Sequence, residues 1–146
     1  MPSNTQSAER FMFFHDITPD IKTLRNNTFV IEEQLPYNDE FEGDEDKFIH
    51  CCLYRGDELI ATARIGVEGN YARISRIAVK AGLRKQGKGT AIVKYAEEMA
   101  KQFNKPSLLV IAQIQAKGFY EKIGYAAVGE PFIDAGLPHI RMVKRI

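Results

Sequence analysis

The stretch from Ile74 to Ala100 constrains the fold more than any other part of the sequence. An apolar run, Ile77-Ala78-Val79, leads into a basic turn that contains Gly82, Gly87 and Gly89, and an amphipathic pattern follows. Glycines let a backbone approach an oxyanion closely, and the free N–H groups at the start of a helix point at such a group. The order of strand, glycine turn and helix therefore predicts a binding site for a phosphorylated ligand.

Two common phosphate-binding patterns fit this turn only in part. The P-loop pattern G-x-x-x-x-G-K-[ST] matches Gly82, Gly87 and Lys88, but Gly89 stands where the hydroxyl residue belongs. The dinucleotide pattern G-x-G-x-x-G matches Gly87 and Gly89 and fails at Ile92. The sequence therefore favours neither a P-loop nucleotide site nor a dinucleotide-binding fold.

Composition is that of one ordinary globular domain. The chain has 146 residues, of which 45% are hydrophobic and 27% are charged. A net charge of +1 indicates neither nucleic acid nor an anionic membrane as the partner. The sequence has no apolar run long enough for a membrane span, no signal-peptide pattern and no zinc-type Cys/His spacing. The two cysteines, Cys51 and Cys52, are adjacent, so we expect reduced thiols and a cytoplasmic location.

The first part of the chain predicts a loose end, a strand and a helix. Residues 1–10 are polar and without pattern, which predicts a flexible terminus before a single domain over residues 11–146. Residues 11–17 are aromatic and favour a strand. Thr18-Pro19-Asp20 is a helix start, and we expect the helix to run to about Gln34. Its predicted apolar face consists of Ile21, Leu24, Thr28 and Ile31.

An acidic segment follows that helix. Residues 38–46 carry six acids and one glycine, which predicts a loop. Two interpretations remain open, namely a solvated acidic connection and a rim that attracts a cationic amine substrate.

The remaining sequence predicts a mixed α/β sheet flanked by helices. Residues 48–55 and 59–65 form a hairpin pattern, and residues 71–79 form a third strand before the glycine turn. Residues 107–112 are short, apolar and unbroken, as is typical of a buried strand that runs parallel to the strand at 71–79. The remaining elements are a short helix at 116–123 and final strands at 125–129 and 140–144, separated by a loop at 130–139.

Two segments resemble signatures of the GNAT acetyltransferase family. Arg84-x-x-Gly87-x-Gly89 is similar to the family pattern [QR]-x-x-G-x-[GA]. The segment from Gln113 to Tyr125 is similar to N-x-x-A-x-x-F-Y-x-K-x-G-F, with glutamine in the place of asparagine. The likeness covers residues 11–146 and implies the acyl-CoA N-acyltransferase fold, with the sheet splayed between the strands at 71–79 and 107–112. A finer likeness, carried by residues 29–34, 112–116 and 135–142, is to small stand-alone members whose substrates are poorly defined.

The resemblance implies acetyl-CoA as the acetyl donor and no metal. The glycine turn would wrap the pyrophosphate, a backbone N–H of the preceding strand would bind the oxyanion, and Gln113 would contact the pantetheine arm. The implied cofactor-binding residues are Ile77, Ala78, Val79, Arg84, Lys85, Gln86, Gly87, Lys88, Gly89, Thr90, Gln113 and Phe119.

The resemblance also implies direct acyl transfer to an amine, which needs a proton acceptor and a proton donor. Tyr120 is implied as the donor to the departing thiolate. Glu33, near the end of the first helix, is the first candidate for the base, and Glu32 is a close rival. His139 is the third candidate, because imidazole commonly accepts protons near pH 7. A water path to solvent remains open as well.

The function that these residues predict is N-acetylation of a primary amine of a small molecule. One alternative is a peptide or protein acetyltransferase, since the acidic segment would suit a lysine-rich peptide. Another is a non-catalytic acyl-CoA sensor, and a homodimer is left open. Arg64, Arg73 and Arg76 lie on predicted strands, where a long cation needs an ion pair, a route to solvent or a substrate carboxylate. The sequence does not choose among these roles.

Overall fold

A mixed seven-stranded sheet organises the structure, a computed structural model that describes residues 8–35, 37–40 and 43–146. The strands lie in the order β1-β2-β3-β4-β5-β7-β6, with β4 and β5 parallel and the other neighbours antiparallel. The mixed α/β sheet that the sequence predicts is confirmed. The strands are β1 (Glu9–Phe14), β2 (Ile49–Arg55), β3 (Glu58–Glu68), β4 (Tyr71–Val79), β5 (Ser107–Gln113), β6 (Ala126–Asp134) and β7 (Leu137–Arg145).

Helices connect the strands and cover the sheet. Thr18 caps the first helix, accepting a 3.4 Å hydrogen bond from the Ile21 N–H, and Pro19 occupies the first turn. The α-helices are α1 (Pro19–Arg25), α2 (Tyr37–Glu40), α3 (Lys88–Ala100) and α4 (Lys117–Lys122). A π-helix covers Asn26–Glu32, and short 3-10 turns cover Glu45–Lys47, Lys101–Phe103 and Ile114–Ala116.

The first helix differs from the prediction in its second half. After Arg25 the backbone becomes a π-helix, in which each N–H reaches back five residues, as from Glu33 to the Thr28 carbonyl at 3.1 Å. The wider turn rotates the side chains that follow. Ile31, predicted on the buried face, is therefore 62% exposed, whereas Thr28 remains buried.

The core lies on both faces of the sheet. On one face α3 packs its buried residues Ile92, Val93 and Ala96 against the strands, and on the other α1 contributes Ile21 and Leu24. Cys51 and Cys52 point to opposite faces because side chains alternate along a strand. Burial raises the pKa of both thiols, which makes them poor nucleophiles.

Both ends of the chain extend the sheet beyond the prediction. β1 begins at Glu9, inside the segment predicted to be flexible, and ends at Phe14, while residues 1–7 lie outside the described residues. At the other end β6 and β7 form one hairpin, so the predicted loop at 130–139 is wrong. Its turn, Ala135–Gly136, has two positive φ values of 51° and 78°, as in a two-residue hairpin turn. Pro131 is tolerated because β6 is an edge strand whose register shifts between Val128 and Phe132.

Two glutamates of the acidic segment are buried in the protein, although Asp46 is exposed. Glu40 and Glu45 are only 1% and 7% exposed, so they are neither solvated nor part of a rim. Arg25 donates to Glu40 through Nε at 2.6 Å and to Glu45 through Nη1 and Nη2 at 2.9 and 3.0 Å. Arg64 on β3 donates to Glu45 at 2.9 Å. These ion pairs fasten the segment to α1 and to the sheet, and residues 41–42 lie outside the described residues.

We predict that Arg25→Ala destabilises the protein by about 3 kcal/mol, because it leaves two buried carboxylates without the cation that they share. Urea unfolding followed by circular dichroism measures this loss. The matched control is Lys101→Ala, which removes the exposed pair with Glu98 and should cost less than about 1 kcal/mol. Equal small losses in both variants would contradict the structural role of the buried pairs.

Candidate functional site

A cleft of about 700 Å³ opens where β4 and β5 separate. In the described part of the chain, these strands pair only between residues 71–73 and 107–109. Beyond that point β4 continues along β3, while β5 continues along β7 as far as the pair Gln113 and His139. The cleft thus lies at the carboxyl ends of two parallel strands, where open α/β sheets commonly bind ligands.

A bulge bends β4 beside the cleft. The pairing register of β3 and β4 shifts between Ser75, which pairs with Arg64, and Ala78, which pairs with Thr62. Within this interval Arg76 has a φ of 53°, in the left-handed region. Such a bulge bends the strand and increases its twist. Residues 74–77 line the cleft along the edge of β4 that β5 has left. Backbone groups on this edge are therefore available to a ligand.

The glycine turn follows β4 directly and opens α3. Gly87 has a φ of 79°, and the first bond inside the helix runs from the Ala91 N–H to the Gly87 carbonyl at 3.0 Å. No side chain among the described residues caps this end, so the N–H groups of the first turn face solvent or a ligand. A Cβ placed on Gly89 would lie 3.6 Å from the Phe119 ring, so the turn packs against α4.

The basic side chains of the turn have protein partners. Arg84 donates from Nε to the Val79 carbonyl at 3.1 Å and binds the Glu32 carboxylate through two bonds of 2.8 and 2.7 Å. This pair ties the π-helix to the turn. Lys88 contacts both carboxylate oxygens of Glu9 at 2.9 and 2.8 Å. A ligand at the turn would therefore depend chiefly on backbone N–H groups.

The π-helix directs two adjacent glutamates to different places. Glu32 points to Arg84, and the hydrogen bonds from that guanidinium lower the pKa of Glu32. Glu33 lines the cleft and accepts a 3.5 Å hydrogen bond from Gln113 Nε2. Partial burial among neighbouring protein atoms raises the pKa of Glu33, although the residue keeps contact with solvent. Of the two glutamates, only Glu33 lines the described cleft.

Tyr120 on α4 brings a phenol to the same cleft. Its ring meets the rings of Phe119 and Tyr125 edge-on, at centroid distances of 5.0 and 5.7 Å. Burial raises the pKa of Tyr120 to about 12. The phenol is therefore protonated at neutral pH and is a hydrogen-bond donor.

His139 on β7 lines the cleft opposite Gln113. Its Nδ1 lies 2.8 Å from the Leu137 carbonyl oxygen, and because a carbonyl only accepts, Nδ1 donates that bond. A neutral imidazole in this tautomer presents Nε2 as an acceptor. The ring also stacks on Phe132 at a centroid distance of 6.2 Å.

The residues that the sequence singles out are divided between the cleft and the glycine turn. Those that line the cleft are Glu33, Ile77, Gln113, Tyr120 and His139. The rest lie outside the cleft lining, at the end of β4, in the turn, in the first residues of α3 and on α4. They are Ala78, Val79, Arg84, Lys85, Gln86, Gly87, Lys88, Gly89, Thr90 and Phe119.

Some lining residues were not assigned from the sequence. Arg64, Arg73 and Arg76 all line the cleft, and so does Glu40, which the sequence placed in an acidic loop. Their position depends on the bulge in β4 and on ion pairs between segments 15 to 20 residues apart. The only signal in the sequence was the unusual presence of long cations inside strand patterns.

The described residues contain no group of three or more His, Cys, Asp or Glu side chains that could hold a metal ion. Among the helices that the structure describes, none is long and apolar enough to cross a membrane.

Comparison with known proteins gives matches of sequence and of structure. A family model described as an acetyltransferase (GNAT) domain matches residues 17–146. The uncharacterized N-acetyltransferase YjcF of Bacillus subtilis is 33% identical over 122 residues, which are 83% of this chain and 87% of that protein.

Crystal structures of similar proteins cover nearly the whole chain. A Lactobacillus plantarum protein, provisionally named an N-acetyltransferase, matches with a TM-score of 0.87 at 27% identity, over 95% of this chain and 99% of its own. ElaA of Escherichia coli matches with a TM-score of 0.83 at 26% identity, over 94% of this chain and 99% of its own. Solved proteins of the same fold at 18% identity carry bound coenzyme A.

Proposed function

Because this chain belongs to the GNAT acetyltransferase family, and is therefore an acyltransferase, we propose that it transfers an acetyl group from acetyl-CoA directly to a primary amine of a small molecule. The observation that carries the proposal is the cleft between the separated ends of β4 and β5, in which Glu33, His139 and Tyr120 come together. We further propose that residues 11–146 act as one such domain, in the cytoplasm and without a metal.

The donor is proposed to lie along the glycine turn and into the cleft. The N–H groups at the start of α3 would hold the pyrophosphate, and the positive charges of the turn would add to the field. The pantetheine arm would pass between the edge of β4 at 77–79 and Gln113, in place of the strand partner that β4 loses there. Phe119 would pack beneath the turn, as it already does against Gly89.

The reaction forms a C–N bond and breaks a C–S bond. The amine nitrogen attacks the thioester carbon, and the carbonyl oxygen gains negative charge that a backbone N–H of β4 at 77–79 would stabilise. The attacking nitrogen must lose a proton, which Glu33 is placed to accept, with His139 Nε2 as the second candidate. The departing sulfur gains charge, and the protonated phenol of Tyr120 would donate to it.

The alternatives are less well supported by the geometry. A preference for lysine-rich peptides depended on an exposed acidic segment, but Glu40 and Glu45 are buried against arginines. A sensor domain has no need of a phenol and a carboxylate at the same cleft. A measurement of coenzyme A binding alone, however, would not distinguish a sensor from an enzyme. Measurements of binding and of turnover therefore have to be separate.

The proposal is tested first by calorimetry with acetyl-CoA, coenzyme A and ATP, and then by release of free thiol from acetyl-CoA across a panel of small amines. We expect both coenzyme A forms to bind more tightly than ATP and at least one amine to release thiol. Tighter binding of ATP without binding of coenzyme A would overturn the donor assignment. Binding of coenzyme A with no turnover on any amine would favour the sensor.

For the proton donor, we predict that Tyr120→Phe lowers kcat by about 100-fold while the affinity for coenzyme A changes little. The ring and its packing remain, and only the hydroxyl that serves the sulfur is lost. Steady-state thiol release and calorimetry measure the two effects. Tyr95→Phe on α3, whose ring stacks on Phe11, is the matched control and should keep its kcat. An unchanged kcat in Tyr120→Phe, with chemistry rate-limiting, would reject the role.

For the base, we predict that kcat/KM of the wild type falls as the pH is lowered through the pKa of Glu33, since only the carboxylate can accept a proton. Because that pKa is raised, the fall begins at a higher pH than an ordinary glutamate would give. Glu33→Gln should lose this acid limb together with most of its activity, whereas Glu32→Gln should retain the limb. A limb that persists in Glu33→Gln would favour His139.

A further inference from the structure

The wall of the cleft that β3 and β4 form carries three arginines, Arg64, Arg73 and Arg76. We propose that this wall, with Arg73 as its main contact, binds a carboxylate of the acceptor. The acceptor class is then an amino acid or a similar amino-carboxylate, rather than a simple amine or a polyamine. This inference rests on the proposed function, because it names the substrate class of the same cleft.

Arg73 lines the cleft and has an N–H group that is not hydrogen-bonded within the described residues. Its Nη1 donates to Glu68 at 2.9 Å, and its Nε is buried without an acceptor among the described residues. The Nε and Nη2 groups of a guanidinium form a planar fork that matches the two oxygens of a carboxylate. A buried N–H that lacks an acceptor is unfavourable, so a carboxylate there would satisfy it.

Arg64 gives the wall a fixed positive charge. Its side chain is only 7% exposed, with Nη1 2.9 Å from Glu45, Nε 3.2 Å from Ser75 Oγ and the guanidinium 3.9 Å above the Phe48 ring. Burial lowers the pKa of Arg64, and the positive charge of Arg76 lowers it further. Both guanidinium groups line the cleft, so an anion between them would be attracted by two positive charges.

The carboxylates on this side of the cleft are each shared between two arginines. Glu45 serves Arg25 and Arg64, and Glu40 serves Arg25 and Arg76. At the rim, Glu68 contacts both Arg73 and Arg141, at 2.9 and 3.7 Å. These three carboxylates are thus already engaged by arginines, while Asp134 on β6 is a further carboxylate that lines the cleft.

A different element of the cleft suits the amine. Glu33 stands beside Gln113 at the end of the π-helix and lines the cleft, whereas the three arginines stand on β3 and β4. One ligand could therefore place its amine near Glu33 and its carboxylate near Arg73. A carboxylate and a guanidinium in one cleft favour a ligand that carries both an amine and a carboxylate.

The test measures product-like ligands at equilibrium, so that it does not depend on turnover. Calorimetry on the full chain with coenzyme A present would compare N-acetylglycine, N-acetyl-β-alanine and N-acetyl-γ-aminobutyrate with their primary amides. We expect at least one carboxylate to bind about 10-fold or more tightly than its amide. Arg73→Gln should abolish that difference, whereas Arg141→Gln, which removes the other partner of Glu68 outside the cleft, should retain it.

Each other outcome is decisive. Equal binding of carboxylates and amides, or a preference that survives Arg73→Gln, would overturn the proposal. A matched N-acetyl-aminoethylphosphonate that binds more tightly than every carboxylate would overturn the choice of a carboxylate.

Thiol release with the free amino acids and the corresponding amines separates this inference from the proposed function. A preference in binding that depends on Arg73, without turnover on any acceptor, would overturn the transfer function and leave the carboxylate site standing. If amines without a carboxylate turned over at the same kcat/KM as amino acids, in wild type and in Arg73→Gln, the carboxylate site would be overturned and the transfer function would stand.

Discussion

The separation of β4 from β5 is the constraint on which the rest of the site depends. The two strands pair over three residues each and then take different partners. From that point on, the edge of β4 has no neighbouring strand among the described residues, and a gap opens in the middle of the sheet. The bulge at Arg76 turns β4 away, and the pairing of β5 with β7 holds the other wall. Unpaired backbone inside a protein needs a partner. A ligand that lies between the strands can supply one.

A second set of interactions holds the side of this cleft that carries the arginines. Arg25 joins α1 to Glu40 and Glu45, and Arg64 and Arg76 connect the same carboxylates to β3 and β4. Buried ion pairs add little net stability, but their strict geometry fixes the segments that they join. The cationic wall of the cleft is thus part of the scaffold. Its arginines are held in place before any ligand arrives, which is favourable for recognition.

Local sequence pattern predicted the structure correctly where neighbouring residues determine it. The strand at 71–79, the glycine turn and the cap at Thr18 appear where the sequence predicts them. It failed where the outcome depends on distant contacts. Pro131 indicated a loop, but an edge strand tolerates proline because no neighbour needs its N–H. Glu40 and Glu45 looked solvated, because their partner Arg25 is 15 and 20 residues away.

The candidate site shows the same division. Tyr120 and Gln113 were found from a motif, and both line the cleft. Which of Glu32 and Glu33 lines the cleft depends on the π-helix, since apolar spacing does not reveal a change in hydrogen-bond register. The position of the arginines in the cleft depends on the bulge in β4 and on the buried ion pairs, and no short sequence pattern predicts either.

The central claim is that the gap between β4 and β5 receives the acyl-carrying arm of coenzyme A, and a crystal structure with coenzyme A bound tests it most directly. The account predicts the pyrophosphate against the N–H groups that open α3, the pantetheine arm between the edge of β4 and Gln113, and the sulfur within reach of the Tyr120 hydroxyl. Coenzyme A bound elsewhere, with the gap between the strands empty or closed, would contradict it.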